Sequence, residues 1–314
     1  MKKNSFYFAT FFILILTYQF LVSSSSLKSE DQNYQEEFYD KYAIFSIVKP
    51  ENIHFANETI PLNNSKTWER LDKELLKNTY WQSNTLLYIK RANKYFPIIE
   101  PILKENSIPE DFKYLAVIES GLEDVVSPSG ATGFWQIMKS TGKEYGLEIN
   151  NEIDQRYNLE KATELACTYL NDAYDKFGSW TMSAAAYNMG INGAAKTIES
   201  QGSNNYYNLH LNNETSRYIF RILAIKTILE SPKQYGFIIR EKDLYDPVKK
   251  KNIVLNKSNI DLIKYAKDLG VNYKILREYN PWIRSETITN ITSQNYTIVI
   301  PETEEIIFSE YVKK

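Results

Sequence analysis

From residue 65 to residue 230, apolar side chains return at every third or fourth position, and that period dominates what the chain can fold into. Trp68, Leu71, Leu75 and Leu76 follow it, then Leu86, Ile89, Ala92 and Phe96, then Leu159, Ala162, Ala166, Leu170, Ala173 and Phe177. The spacing matches the turn of an α-helix and lays one apolar stripe along each segment, so these residues should pack helix on helix. Pro97 and Pro101 should break the second segment into shorter or kinked pieces. Ser107-Ile108-Pro109-Glu110 reads as a helix start, with a capping serine, a proline in the first turn and a glutamate to complete a capping box. The helix after it should bury Phe112, Leu115, Ala116 and Ile118 and stop at Gly121, which leaves Glu119 in its last turn. Ser127-Pro128-Ser129-Gly130-Ala131-Thr132-Gly133 is a tight polar loop. Ser179 caps a short helix that Gly190 ends, and residues 215–229 are helical again before Pro232.

The pattern changes beyond residue 232. After a linker at 233–251, residues 252–255 and 296–300 carry the β-branched runs of short strands. Between them Ile260, Ile263, Ala266 and Leu269 form one helix ending at Gly270, and Tyr273, Leu276 and Tyr279 a second. The fold class is therefore mainly α: a helical domain over 65–232, then a small α+β module over 252–304. Upstream, residues 25–64 form a polar lead-in with weak periodicity, in which residues 44–48 are apolar enough to dock.

The N-terminus carries Lys2-Lys3, an uncharged stretch over residues 6–22 and then Ser23-Ser24-Ser25-Ser26. A basic start, an apolar run and small residues make an export signal over residues 1–24, with Val22-x-Ser24 as a cleavage motif. The run is slightly short for a spanning helix, yet an uncleaved anchor, and membrane association through it, stays open. No cysteine follows it, which excludes a lipoprotein, and the mature protein should work in the periplasm or cell envelope.

Composition removes other classes. The net charge is −2 and the densest basic run is Lys249-Lys250-Lys251, so no nucleic-acid partner is expected. Cys167 is the sole cysteine and its place in the helical repeat is a core position. The two histidines, His54 and His210, stand far apart without ligand-spaced companions. Neither a metal site nor a Ser-His-Asp triad is supported, and no cofactor is expected.

Glu119 admits two readings on its own. A carboxyl near the end of an apolar helix is partly desolvated, and the negative pole of the helix acts in the same direction, so its pKa should rise as a general acid requires. A half-buried glutamate in a structural network looks the same. Glu123 and Asp124, just past the glycine, read as solvated loop charges rather than a second catalytic acid.

Three short stretches and a tyrosine decide between those readings. Glu119-Ser120-Gly121-Leu122, Gly130-Ala131-Thr132-Gly133-Phe134-Trp135-Gln136-Ile137-Met138, Ala186-Tyr187-Asn188-Met189-Gly190 and Glu214-Thr215-x-x-Tyr218 occur in the order of the soluble-lytic-transglycosylase-like family, which the chain resembles. Within it the likeness is to the membrane-bound lytic transglycosylase D group, and it extends upstream through Leu75-Leu76-Lys77-Asn78-Thr79-Tyr80-Trp81, covering roughly residues 60–235. The resemblance implies a lysozyme-like helical fold that cleaves the β-1,4 bond between N-acetylmuramic acid and N-acetylglucosamine in peptidoglycan, leaving 1,6-anhydro-muramyl ends. It implies Glu119 as the one catalytic acid and base, with Ser120, Gln136, Met138, Tyr187, Asn188 and Tyr218 around the substrate. Such a route needs one carboxyl group, whereas a hydrolase needs a second at a set distance. Phe134-Trp135 departs from the smaller aliphatic residues of many relatives and bears on cleft shape. The alternatives are a lysozyme-like hydrolase on the same bond and a non-catalytic wall-binding protein.

Residues 252–301 resemble a LysM domain, through Ala266-x-x-Leu269-Gly270-Val271, Leu276-x-x-Tyr279-Asn280-Pro281-Trp282 and Ile298-Val299-Ile300-Pro301. The resemblance implies binding of N-acetylglucosamine-containing glycans. Asn256-Lys257-Ser258-Asn259 stands where the usual Gly-Asp-Thr turn would be, and the loop before the last strand is long.

Overall fold

The computed structural model describes residues 29–41, 44–255, 258–289 and 295–302. The expected export signal over residues 1–24 lies outside them. Among the described residues no helix is long and apolar enough to cross a membrane.

The chain divides into two compact units at residue 46. The first contributes helix α1 (Glu30–Lys41), where only a polar lead-in was expected. Its start explains it: the Ser29 hydroxyl accepts from the Gln32 amide while the Gln32 side chain accepts from the Ser29 amide, a reciprocal capping box. The apolar run at 44–48 docks less than expected. Ile44, Phe45 and Val48 are exposed, while Ile47 packs on the core. Without a helical or alternating period, consecutive apolar residues cannot share one buried face.

In the second unit, β1 (His54–Phe55) and β2 (Glu58–Thr59) form a hairpin closed by Ala56 and Asn57, both at positive φ. Phe55 packs edge-on against Phe112 at 5.1 Å. The helices follow: α2 (Ser65–Tyr80), α3 (Gln82–Glu105), α4 (Lys113–Ser120), α5 (Lys139–Glu144), α6 (Leu159–Phe177), α7 (Trp180–Met189), α8 (Ile191–Gln201) and α9 (Thr215–Glu230). Asn64 caps α2 and Ser179 caps α7, each accepting from backbone amides of the first turn. Glu58 also lies at the start of α7, accepting from the Trp180 and Thr181 amides, where a carboxylate meets the positive helix end.

Two local expectations fail. Helix α3 runs unbroken through Pro97 and Pro101. The prolines are four residues apart on one exposed face, while Ile99 and Leu103 are fully buried on the opposite side. Solvent can satisfy the carbonyls that the prolines leave unpaired, and tertiary packing holds the rest. Ser107 is not an N-cap: it adopts a left-handed conformation that closes α3, with the Ile108 amide donating to Leu103. A short 3-10 turn over Glu110–Phe112 leads into α4, and Glu110 pairs with Lys113 instead of completing a capping box.

Helix α9 is the centre of the helical part. Tyr218, Ile219, Phe220, Ile222, Leu223 and Ala224 are all buried, so it is enclosed on nearly every side, by α2, α4 and α7. Cys167 is buried in the same core, as its spacing predicts, while His54 and His210 are both exposed.

The C-terminal part pairs β3 (Lys250–Leu255) antiparallel with β6 (Tyr296–Pro301). A second pair, β4 (Ile260–Asp261) with β5 (Thr287–Ile288), was not foreseen, because two-residue strands leave no alternation to detect. Helices α10 (Leu262–Asp268) and α11 (Tyr273–Tyr279) complete it. Asn280 is fully buried and fully used: its side chain donates to Leu276 and Val299 carbonyls and accepts from the Val299 amide. Ile153, from the loop before α6, sits in this second core, 1% exposed. Around it the Asp154 amide donates to Trp282 and the Arg284 amide to Glu152, Glu152 accepts from Thr289, and Tyr296 donates to Glu148. The helical part and the strand-bearing part are thus locked together by shared apolar packing and a ring of hydrogen bonds.

Candidate active site

Glu119 occupies the last turn of α4, which ends at Gly121 in the left-handed conformation at φ 67°. A side chain at Gly121 would also meet the Tyr88 ring at 2.8 Å, so glycine serves both the turn and the close approach. The carboxyl of Glu119 is half-buried. Burial pushes its pKa upward, the Tyr218 hydroxyl and the nearby Arg221 charge pull it back, and the Glu214 charge raises it again; the net result is upward. Tyr218 is fully buried and donates its hydroxyl to Oε1 of Glu119. Arg221 spends its guanidinium on the Ile118 carbonyl at 2.6 Å, and among the described residues no cation lies within ion-pair distance of Glu119. The result is a carboxyl biased toward its protonated form, held in place by one neutral donor.

The remaining predicted residues take distinct places. Ser120 donates toward the Phe134 carbonyl at 2.9 Å and the Ala116 carbonyl at 3.2 Å and accepts from the Leu122 amide, so its hydroxyl ties the helix end to the following loop. Gln136, at φ 48°, turns its amide back onto the Gly133 and Val125 carbonyls. Met138 is 41% exposed, just ahead of α5. Tyr187 donates to the Trp135 carbonyl at 2.7 Å and packs edge-on against Tyr169, and burial together with the Glu119 charge raises its hydroxyl well above its usual range. Asn188 donates to Glu214 and accepts from Thr215 Oγ1, which fixes its amide against the first turn of α9. Tyr218 is therefore bonded to the acid and Tyr187 lies within reach of its field. Ser120 adjoins it in sequence. Gln136 and Asn188 are held through intermediates, and Met138 stands apart on the surface.

Phe134 and Trp135 do not shape an open cleft with their side chains. Trp135 is fully buried, its indole donating to Thr163 at 2.8 Å, and Phe134 packs edge-on to Tyr95 at 4.8 Å. They support the loop from below while the Phe134 and Trp135 carbonyls take bonds from Ser120 and Tyr187. Arg156 pins the same loop, donating to the Gly130 and Ile137 carbonyls while paired with Asp154. Gly133 passes so near that an added Cβ would sit 2.2 Å from the Arg156 carbonyl oxygen.

Two neighbours of the acid had no role in the sequence reading: Glu214 stood in the last motif without one, and Arg221 was not named. Arg221 and Glu214 tune the acid from α9 and its cap, and Arg221 lies three residues after Tyr218, one helical turn away on the same face. That periodic relation was the available signal. Asp124 and Glu123 are both exposed, as expected of loop charges, while desolvation by neighbouring protein pushes the Asp124 pKa up to about 6 against the opposing charge of Arg284. Glu123 is ion-paired with Arg91. A groove of about 600 Å³, lined among others by Lys77, Trp81, Tyr88, Ile118, Glu214 and Arg221, opens beside the acid. Trp81 is 62% exposed there. Among the described residues no group of His, Cys, Asp or Glu is arranged to hold a metal ion.

Known proteins share stretches of this sequence. Residues 96–210 match the transglycosylase SLT domain, and residues 251–304 match the soluble lytic transglycosylase C-terminal LysM-like domain. Membrane-bound lytic murein transglycosylase D of Escherichia coli (strain K12) is 29% identical over 233 residues, covering 72% of this chain and 50% of that protein. The chain thus spans half the length of this curated relative. Among solved structures, the soluble lytic transglycosylase SLT70 of Escherichia coli aligns at 23% identity and a TM-score of 0.38, over 44% of this chain and 24% of that one. An inactive mutant of the lytic transglycosylase Slt of Pseudomonas aeruginosa aligns at 19% identity and 0.37, over 49% and 26%. Residues 96–210 are thus similar to an SLT transglycosylase domain and residues 251–304 to a LysM-like domain, in a chain that is similar to membrane-bound lytic murein transglycosylase D.

Proposed function

We propose that this protein is a lytic transglycosylase of the cell envelope that cleaves peptidoglycan strands between N-acetylmuramic acid and N-acetylglucosamine. The observation that carries the reading is Glu119 itself: a half-buried carboxyl with a raised pKa, hydrogen-bonded to Tyr218 and without an ion-pair partner among the described residues. Such a group keeps its proton to higher pH than a solvated carboxyl and can give it to a glycosidic oxygen. Once ionised it is stabilised by the Tyr218 hydroxyl and the Arg221 charge, so it can then take the proton from the muramyl O6 as that oxygen attacks the anomeric carbon. The glycosidic bond breaks, the C1–O6 bond forms, and the strand ends in a 1,6-anhydro ring without water entering. Tyr187 and Asn188 border the acid on the α7 side, and Ser120 and Gln136 shape the backbone of the loop that faces it.

The one-carboxyl route fits the electrostatics. Asp124 is not among the charges that shift Glu119, and Glu214, which is, is exposed and occupied by Asn188. A hydrolase would need one of them as a partner acid at a fixed separation. Replacing Glu119 by Gln in the full chain should abolish release of soluble fragments from purified peptidoglycan while binding to it persists. Undiminished release would refute the assignment.

A further inference from the structure

The LysM-like module bears on the site in a way that glycan anchoring does not require. Its position is fixed: Ile153 fills its core, and the Asp154, Arg284 and Thr289 amides hydrogen-bond across the junction. Arg284 belongs to the module, yet its guanidinium lies over the ring of Tyr157 at 4.3 Å, in the turn just ahead of α6. The preceding residue, Arg156, pins the Gly130 and Ile137 carbonyls of the loop that follows the acid. Asp124, five residues past Glu119, lies near enough to feel the charge of Arg284. Arg284 itself is an exposed residue, and among the described residues no carboxylate lies within ion-pair distance of it. One terminal nitrogen donates to the Pro281 carbonyl at 3.1 Å, and this bond together with stacking on Tyr157 preorganises the planar guanidinium, whose remaining N–H groups can meet a carboxylate ligand.

We propose that the LysM-like module is a fixed wall of the substrate site and that Arg284, laid on Tyr157 at its edge, is a positioning residue that binds a peptide-stem carboxylate of the glycan strand. The inference rests on the reading of the substrate as peptidoglycan. It makes the module a determinant of which strands are cleaved: stems carrying a free carboxylate are held, and stem-free strands gain nothing from Arg284.

The test compares the full chain and its Arg284→Ala, Arg284→Lys and Arg284→Glu variants on soluble strand fragments with stems and on the same fragments stripped of stems. Arg284→Ala should raise KM about tenfold on stem-bearing fragments, the scale of one lost charge-assisted hydrogen bond. On stripped fragments the change should stay within about twofold, where no such bond is lost. Arg284→Lys should recover part of the loss and Arg284→Glu should exceed it, with melting temperatures close to the parent because the side chain is exposed. An unchanged KM for Arg284→Ala on stem-bearing fragments, or an equal rise on both substrates, overturns the proposal while leaving the catalytic reading intact. Absence of product from the unsubstituted chain on either substrate overturns both.

Discussion

Replacing Tyr218 by Phe isolates the one hydrogen bond that the Glu119 carboxyl receives among the described residues. The hydroxyl is fully buried and Oε1 is its partner, so the substitution removes a single donor and leaves the ring packing in place. A hydrogen bond to a charged group contributes about 1.5–3 kcal/mol. The bond favours the ionised carboxylate, so its loss should raise the Glu119 pKa further, by about 1–2 units at about 1.4 kcal/mol per unit. Glu119 must be protonated to act as the acid, and activity therefore falls as pH rises through its pKa. The alkaline limb of the kcat/KM profile should move to higher pH in Tyr218→Phe by that amount. The maximal rate should drop about tenfold or more, because the carboxylate formed on proton donation loses its stabilising donor. Measuring fragment release from soluble strands across the pH range reads both effects. A limb that stays in place, or moves to lower pH, would refute the assignment of Tyr218 as the donor that tunes the acid.

Glu214→Gln should shift the same limb the opposite way, since the Glu214 charge raises the Glu119 pKa, and strand cleavage should continue; loss of cleavage would make Glu214 the partner acid of a hydrolase. Burial places the Glu119 pKa above its unfolded value, so the associated stability is complete below the unfolded pKa and is lost as pH rises through the folded one. Glu119→Gln should accordingly raise Tm more at about pH 8 than at about pH 4, and an equal shift at both would contradict the raised pKa. Gly133→Ala forces φ 78° on a residue with a Cβ and drives that atom to 2.2 Å from the Arg156 carbonyl oxygen. It should cost more than about 1 kcal/mol in chemical denaturation, and a neutral effect would show that the loop can move away from Arg156.

Much of the site was legible because its signals are local. Gly121 ends α4 where its freedom at positive φ requires, which fixes Glu119 in the last turn, and Ser179 caps α7 as its position before an apolar run implies. The failures came where tertiary context overrules a local rule. Pro97 and Pro101 stay within α3 because they share an exposed face opposite Ile99 and Leu103, a fact about packing that proline chemistry alone does not contain. Ser107 has the residue type of a cap but the backbone of a helix end. Asp124 and Arg284 are separated by much of the chain, and only the docking of Ile153 into the second core brings their charges into range. Residues 148–157 offer only Ile149, Ile153 and Tyr157 in a polar loop, and nothing in their spacing announces that Ile149 joins the first core and Ile153 the second.

The chemistry at Glu119 is tested most directly by mass spectrometry of muropeptides released from purified peptidoglycan by the mature chain and by its Glu119→Gln variant. Intramolecular attack by O6 predicts muramyl ends that carry the 1,6-anhydro ring with the unsubstituted chain and no released fragments with the variant. Reducing muramic-acid ends without anhydro ends would contradict it and assign the same fold and the same glutamate to a hydrolase.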